Sequence, residues 1–458
     1  MAPVRVGDAC LEVIMRVIRL SLAIVGAACL LVPSLSSGQD DFEAPPISYS
    51  DSTPDNRVSR LVKAIEDGEV TLATTREQGY LPSLLEALKV PVESQMLVFS
   101  KTSLQTRRIS PRTPRAIYFS DDVYVGYCMA GDVIEITAVD PKLGAVFYTL
   151  DQTKPEIPQV KRQTDSCLVC HSSSRTAGVP GHLARSLFVD RGGQPIFSAG
   201  SHMVDYTTPI EDRWGGWYVT GTHGAQQHLG NLVIEGNRVD GPVDNSAGQN
   251  VRNVTDRFNT SRYLSPHSDI VALMVFEHQI VVHNRITKAN FATRQALEYD
   301  KTMKEALGES DDKLLDSTQR RIESAAGDLV DALLLVGEAT LTEPVEGTSG
   351  FGEMFTKQGP RDPQGRSLRQ LDLERRLWVY PCSYVIYSEA FDALPPQTRE
   401  VVWRRLAEIL SGEDTAQKYA HLSADDRRAI AEILLATKQG IPPEWKSRLA
   451  TNSVALSP

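Results

Sequence analysis

The chain has 458 residues, 41% of them hydrophobic and 23% charged, with 31 Gly, 26 Pro and 6 Cys. That composition belongs to a folded globular protein and excludes collagen-like, coiled-coil and wholly disordered chains, and the cysteines are too few for a disulfide-stapled miniprotein. A formal charge of −10 argues against the basic face that nucleic-acid binding requires.

The first segment reads as an address. Arg16 and Arg19 precede an uncharged run from Leu20 to Val32, and Ser36 and Gly38 supply small residues before Gln39. A basic start, a short apolar run and a small-residue exit predict a secretory signal peptide over 1–38. Met15 offers an alternative start. The run is shorter than the ~20 residues of a membrane anchor, and no later stretch is long enough to span a bilayer. The mature chain is therefore expected to be exported, periplasmic or otherwise extracytoplasmic, with no stable membrane span. Export leaves Cys128, Cys167, Cys170 and Cys382 in an oxidising compartment, where two of them can pair.

Residues 39–115 read as a flexible lead-in, rich in Pro, Ser and Asp up to 56, and two helices, Arg57 to Asp67 and Leu81 to Leu88. Residues 116–262 are strand-rich. AIYFSDDVYVGYC, DVIEITAVD and GAVFYTLD predict a meander, SLFVDRGGQPIFSAG a hairpin turning at Arg191-Gly192-Gly193, and GWYVTG and NLVIEGNRV further strands. Residues 263–344 form a long-helix region: Asp269 to about Lys301 contains no Pro or Gly, with Ser265 or Ser268 as cap, and a second helix runs from Thr318 to Leu341. Residues 345–458 form a helical C-terminal region. A Gly- and Pro-rich connection spans 343–366, and amphipathic helices follow at Leu394 to Leu410 and Ser423 to Thr437, the latter opened by an S-x-x-D cap pattern. The fold class is α+β, a strand-rich region followed by a helical half.

Cys167-Leu168-Val169-Cys170-His171 is C-x-x-C-H, the attachment pattern of a c-type haem. Two thiols at this spacing reach the two vinyl groups on one porphyrin edge, and the adjacent imidazole becomes the proximal iron ligand. Three other uses of these residues compete. A dithiol redox centre normally sits in a thioredoxin-like βαβ pattern, which is not found. A zinc site needs further ligands at similar spacing, and a local disulfide is strained at this separation.

For the sixth iron ligand, His223 leads because Gly221 and Gly224 flank it and let backbone approach a flat macrocycle. His228 is the alternative, and His278 the third choice. His278 and His283 share the long helix, but five residues rotate their side chains about 140° apart. An open distal position is the remaining possibility, and Met203 is the methionine nearest in sequence. Arg175, Arg185 and Arg213 are candidate partners for haem propionates or ordinary surface residues. Trp214, Trp217 and Tyr218 read as a pocket wall or as core, and Cys128 and Cys382 as a disulfide or as two buried thiols.

SPRTPRAIYFSDDVYVGY, DPKLGAVFYTLDQ, CLVCHSSSRTAGVPG, RWGGWYVTGTHG and YPCSYVIYSEAFDALP resemble a group of exported bacterial proteins described as monohaem cytochrome c domain-containing proteins. The resemblance covers most of residues 80–440. It implies one covalent haem on Cys167, Cys170 and His171 and assigns no activity. The small all-helical cytochromes c match less well, because β-rich sequence surrounds the motif here.

These readings converge on an extracytoplasmic c-type cytochrome acting in one-electron transfer, its acidic surface steering it to a redox partner with a basic patch. The alternatives are a haem enzyme, a peroxidase or small-molecule oxidoreductase with His278 and His283 as acid/base residues, and a haem-based ligand-binding or sensory protein.

Overall fold

Strict alternation of side chains in the strand-rich region builds a sheet with two apolar faces. The computed structural model describes residues 42–153, 158–308 and 313–448, so the expected leader lies outside the described residues. Seven antiparallel strands, β1 Met96–Val98, β2 Arg115–Phe119, β3 Val123–Tyr127, β4 Val133–Asp140, β5 Gly144–Asp151, β6 Val160–Gln163 and β9 Trp217–Tyr218, order as β6-β5-β4-β3-β2-β1-β9. A separate ribbon pairs β7 Ala184–Ser186 with β8 His202–Val204. Leu97, Ala116, Tyr118, Val123 and Val125 point to one face and join the buried cluster of Tyr49, Val58, Leu81 and Leu84. Met96, Val98, Ile117, Phe119 and Tyr124 point to the other and join the helical core. This is the period-2 division expected of a strand covered on both sides.

The first face is covered by α1 Arg57–Glu66 and α2 Leu81–Ala87, joined by the lead-in. The lead-in was expected to be loose. From Phe42 it is packed instead: Phe42, Ile47 and Tyr49 are buried, and the Tyr49 hydroxyl donates to the Ala145 carbonyl at 2.8 Å. Three apolar side chains within eight residues anchor a stretch whose polar composition suggests coil.

The second face is covered by α4, Ile270–Leu307, whose 38 residues span roughly 57 Å at about 1.5 Å per residue. A one-turn α3, Leu168–His171, precedes it in the chain. α5, Asp316–Leu333, packs Ile322, Ala326, Leu329 and Leu333 against α4 at helical spacing. α5 ends eight residues before the expected Leu341 because Leu335 adopts a left-handed φ of 54°. The 343–366 connection is not loose, since it holds α6 Phe351–Lys357. α7 Glu389–Asp392, α8 Pro396–Leu410 and α9 Ala424–Thr437 close the chain, and Ser423 forms the expected capping box with Asp426. Of the expected strand NLVIEGNRV only Ile234 pairs, with Asp190.

Asp269, rather than Ser265 or Ser268, caps α4. Its buried carboxylate accepts from the N–H groups of Val271 (2.9 Å), Ala272 (3.1 Å), Thr348 (2.6 Å) and Ser349 (2.8 Å), and from the Ser349 hydroxyl (3.0 Å). Ser268 is occupied elsewhere, donating to the Tyr218 carbonyl and accepting from the Leu97 N–H. The Ser349 hydroxyl also reaches the Glu93 carbonyl at 2.8 Å, but the four backbone N–H groups depend on this carboxylate, so Asp269→Ala should cost about 3 kcal/mol in chemical denaturation, against about 1 kcal/mol for Ser423→Ala at the exposed cap. Equal losses would show that the 347–349 loop does not depend on Asp269.

Candidate functional site

Cys167 opens α3 in helical backbone geometry, so Cys170 and His171 stand three and four residues on, along the same side of one turn. Leu168 is buried and anchors the turn, whereas Val169 is 68% exposed. All four cysteines of the described residues are free: Cys170 exposed, Cys167 half-buried, Cys128 and Cys382 buried.

His171 is held by its neighbour ten residues on. Its Nδ1 lies 2.9 Å from the Gly181 carbonyl oxygen, and its own carbonyl accepts from the Gly181 N–H at 2.8 Å. A carbonyl only accepts, so Nδ1 carries the proton and Nε2 keeps its lone pair. No described residue hydrogen-bonds Nε2. Burial lowers the His171 pKa, which keeps the ring in the neutral form that ligates metal.

Two elements fix Gly181. The Pro180 carbonyl accepts from the Ala145 N–H at the start of β5 (3.2 Å). From α4, Asn284 grips the backbone of the next residue, its Oδ1 accepting from the His182 N–H (3.0 Å) and its Nδ2 donating to the His182 carbonyl (2.8 Å). A Cβ at position 181 would collide with Asn284 Oδ1, so glycine is required by close approach. Gly144, with φ of 69°, makes the matching approach to Thr287.

The electrostatics separate the possible uses of the two thiols. Burial pushes Cys167 up to about 11, with Glu135 adding to the rise and Arg115 opposing it. A dithiol redox centre depends on a lowered thiol pKa, so this environment disfavours it. Among the described residues there is no group of three His, Cys, Asp or Glu side chains placed to hold a metal ion. Formation of a thioether uses neither property. The free thiols, the free Nε2 and the exposed Val169 on one short turn fit a porphyrin edge.

Of the candidate propionate partners, Arg185 lies within electrostatic reach of both Arg175 and Cys170. Arg213 is committed elsewhere, in a buried pair with Glu277 on α4 (2.9 Å), and Trp214 Nε1 donates to the same carboxylate at 2.7 Å. Trp217 Nε1 donates to the Arg185 carbonyl at 2.8 Å, tying β9 to β7. Both indoles are therefore core. Met203 lies opposite Arg185 in the β7–β8 ladder. Cys128 and Cys382 form no disulfide.

The structure does not bring His223 or His228 to His171. A Cβ at Gly221 would meet Ile270 on the first turn of α4, whereas Gly181 sits at Asn284. Those fourteen helix residues separate the two points by roughly 21 Å. His223 and His228 instead pair with each other, ring centroids 4.8 Å apart, with His228 against Trp214. Flanking glycines had pointed to a macrocycle; they serve close packing, Gly224 against Glu343. The third choice, His278, points into the C-terminal core, where its Nε2 is 2.8 Å from the Ser383 hydroxyl. His283 faces the sheet, its Nδ1 3.0 Å from the Tyr124 hydroxyl. The two rings diverge as their spacing requires.

His182, Tyr124 and Asn284 are residues that sequence reasoning did not single out. His182 is buried beside Tyr124, ring centroids 4.1 Å apart, and neither of its ring nitrogens has a partner. Only its position, eleven residues after His171 and just after Pro180-Gly181, marked it in the sequence.

Buried neutral histidines make the fold acid-labile. Burial pushes His283 down to about 4, whereas the unfolded residue titrates near 6.5. Between those values the unfolded chain binds more protons than the folded one, so stability falls as pH drops from about 6.5 to about 4. In His283→Gln this fall should shrink by up to about 3 kcal/mol, read from denaturant midpoints at several pH values. An unchanged slope would show that His283 titrates normally in the folded protein.

No family model, no curated protein and no solved structure matches this chain.

Proposed function

We propose that this chain is an extracytoplasmic c-type cytochrome that carries one haem through thioethers at Cys167 and Cys170, has His171 as iron ligand, and passes single electrons. The observation that carries the reading is the His171 tautomer: the Gly181 carbonyl accepts from Nδ1–H and leaves the Nε2 lone pair free on the turn that bears two free thiols. When bound, the haem supplies an iron that changes oxidation state by one electron.

The chain's own residues do the rest. Gly181 orients the imidazole and raises its basicity as a second-layer acceptor. Arg185, within electrostatic reach of Cys170, and Arg175 near it are the cations suited to propionate carboxylates. Cys170 and Val169 face solvent, which supports electron exchange at that surface. The net negative charge of the chain favours a partner with a basic patch. Among the described residues no helix is long and apolar enough to cross a membrane.

The positions of His223 and His228 favour keeping a second reading, a haem enzyme or ligand sensor with an open coordination site. Expression with a haem-attachment system tests both. The purified protein should give an alkaline pyridine haemochrome, lost when Cys167 and Cys170 are both changed to Ser; its absence in the wild type would overturn the haem reading. Low-spin spectra unaffected by carbon monoxide support the electron carrier. High-spin iron that binds carbon monoxide would replace it with the enzyme or sensor.

A further inference from the structure

Behind His171, packed rings lead into the interior. Ring centroids lie 5.0 Å apart from His171 to Phe147, 6.4 Å from Phe147 to His182, and 4.1 Å from His182 to Tyr124. The row ends at a buried hydrogen-bonded pair, with the Tyr124 hydroxyl 3.0 Å from His283 Nδ1. Gln279 Nε2 donates to the same hydroxyl oxygen at 2.7 Å. His283 Nδ1 is the one acceptor among the described residues within reach of the phenolic proton, so the assignment that leaves that proton satisfied has the phenol donating to Nδ1. His283 Nε2 has no partner, and neither has either nitrogen of His182, so His182 contributes ring contact rather than hydrogen bonds.

Attaching a haem needs none of this. Tyr124 is 5% exposed and His283 is 2% exposed. Burial pushes the phenol up and the imidazole down, so proton transfer between them does not occur on its own. Removing one electron from the phenol inverts that order. The oxidised phenol is a strong acid, and the acceptor is already at hydrogen-bond distance.

We propose that Tyr124 is a redox-active tyrosine, an internal one-electron donor to the haem-bearing site, with His283 Nδ1 as its proton acceptor. The proposal rests on the haem reading in its second form, with an open coordination site, and adds a hydroperoxide as oxidant. The peroxide takes two electrons and two protons, its O–O bond breaks, and water and an alcohol (or two waters) leave. Tyr124 would supply one of these electrons through His182 and Phe147, a bound haem would be the source of the other, and the two protons would come from solvent. At Tyr124 the O–H bond breaks and an N–H bond forms at His283, leaving a neutral phenoxyl radical beside an imidazolium. An external one-electron donor restores both.

The test is freeze-quenched electron paramagnetic resonance after mixing the haem-loaded protein with hydrogen peroxide, haem content being fixed beforehand by the haemochrome. The wild type should give a tyrosyl signal. In Tyr124→Phe it should fall at least tenfold. It should persist in Tyr384→Phe, where the lost hydroxyl donates to the same Gln279. High-field spectra of the wild type should carry the signature of a hydrogen bond from an imidazolium, altered in His283→Gln; this readout does not depend on the folding of Tyr124→Phe. A haem-loaded wild type without a tyrosyl radical, a signal undiminished in Tyr124→Phe, or a radical with no hydrogen bond would overturn the proposal alone. A protein without haemochrome would overturn the haem reading and the proposal with it.

Discussion

The paired hydrogen bonds between the Asn284 side chain and the His182 backbone are the constraint from which the site follows. They fix a loop to the middle of a long helix, and that loop presents the Gly181 carbonyl to His171. The order of dependence runs from α4 to Asn284, to His182 and Gly181, and then to the tautomer of one imidazole. A buried amide whose donor and acceptor are both used can neither flip nor rotate without stranding two backbone groups, which costs several times what a surface contact is worth. The orientation of His171 thereby acquires the rigidity of the core rather than that of a loop.

α4 can play this part because it is buried along most of its length yet carries polar side chains on several faces. Gln279, His283 and Asn284 serve the sheet side and the motif, His278 bonds Ser383, and Glu277 holds Arg213 and Trp214. Each is a costly group in an apolar interior, offset by specific partners. Polar pairs of this kind specify register more than they add stability. Here they fix which helix turn faces which loop, and so the distance between the C-x-x-C-H turn and the His223–His228 pair.

Much of the architecture was legible in the sequence. The strand meander follows from alternating β-branched and aromatic residues, α4 from the absence of Pro and Gly, and the last helix from the Ser423 cap. The C-x-x-C-H pattern of Cys167, Cys170 and His171 was legible because the proposed haem chemistry calls for those residue types at that spacing. The tertiary partners were not. Asn284 bonds a backbone 102 residues away, and nothing in its own neighbourhood in the sequence distinguishes it from a solvated asparagine. His223 was misleading for a related reason: glycines beside a histidine signal close approach, but not what approaches. The cap of α4 went to Asp269 instead of Ser268 because loop 347–349, remote in sequence, brings its N–H groups to that carboxylate.

The length of the chain also finds a physical reason. A sheet covered on both faces, a buried helix and a C-terminal helical layer are what hold one loop and one ring in place, and they also enclose a tyrosine–histidine pair along a row of rings from the motif. The central claim is that Cys167 and Cys170 carry a haem. Mass spectrometry of the tryptic peptide Gln163–Arg175, from protein made with a haem-attachment system, tests it most directly. The account predicts that this peptide carries one added haem and no free thiol. An unmodified peptide with two alkylatable cysteines would contradict it.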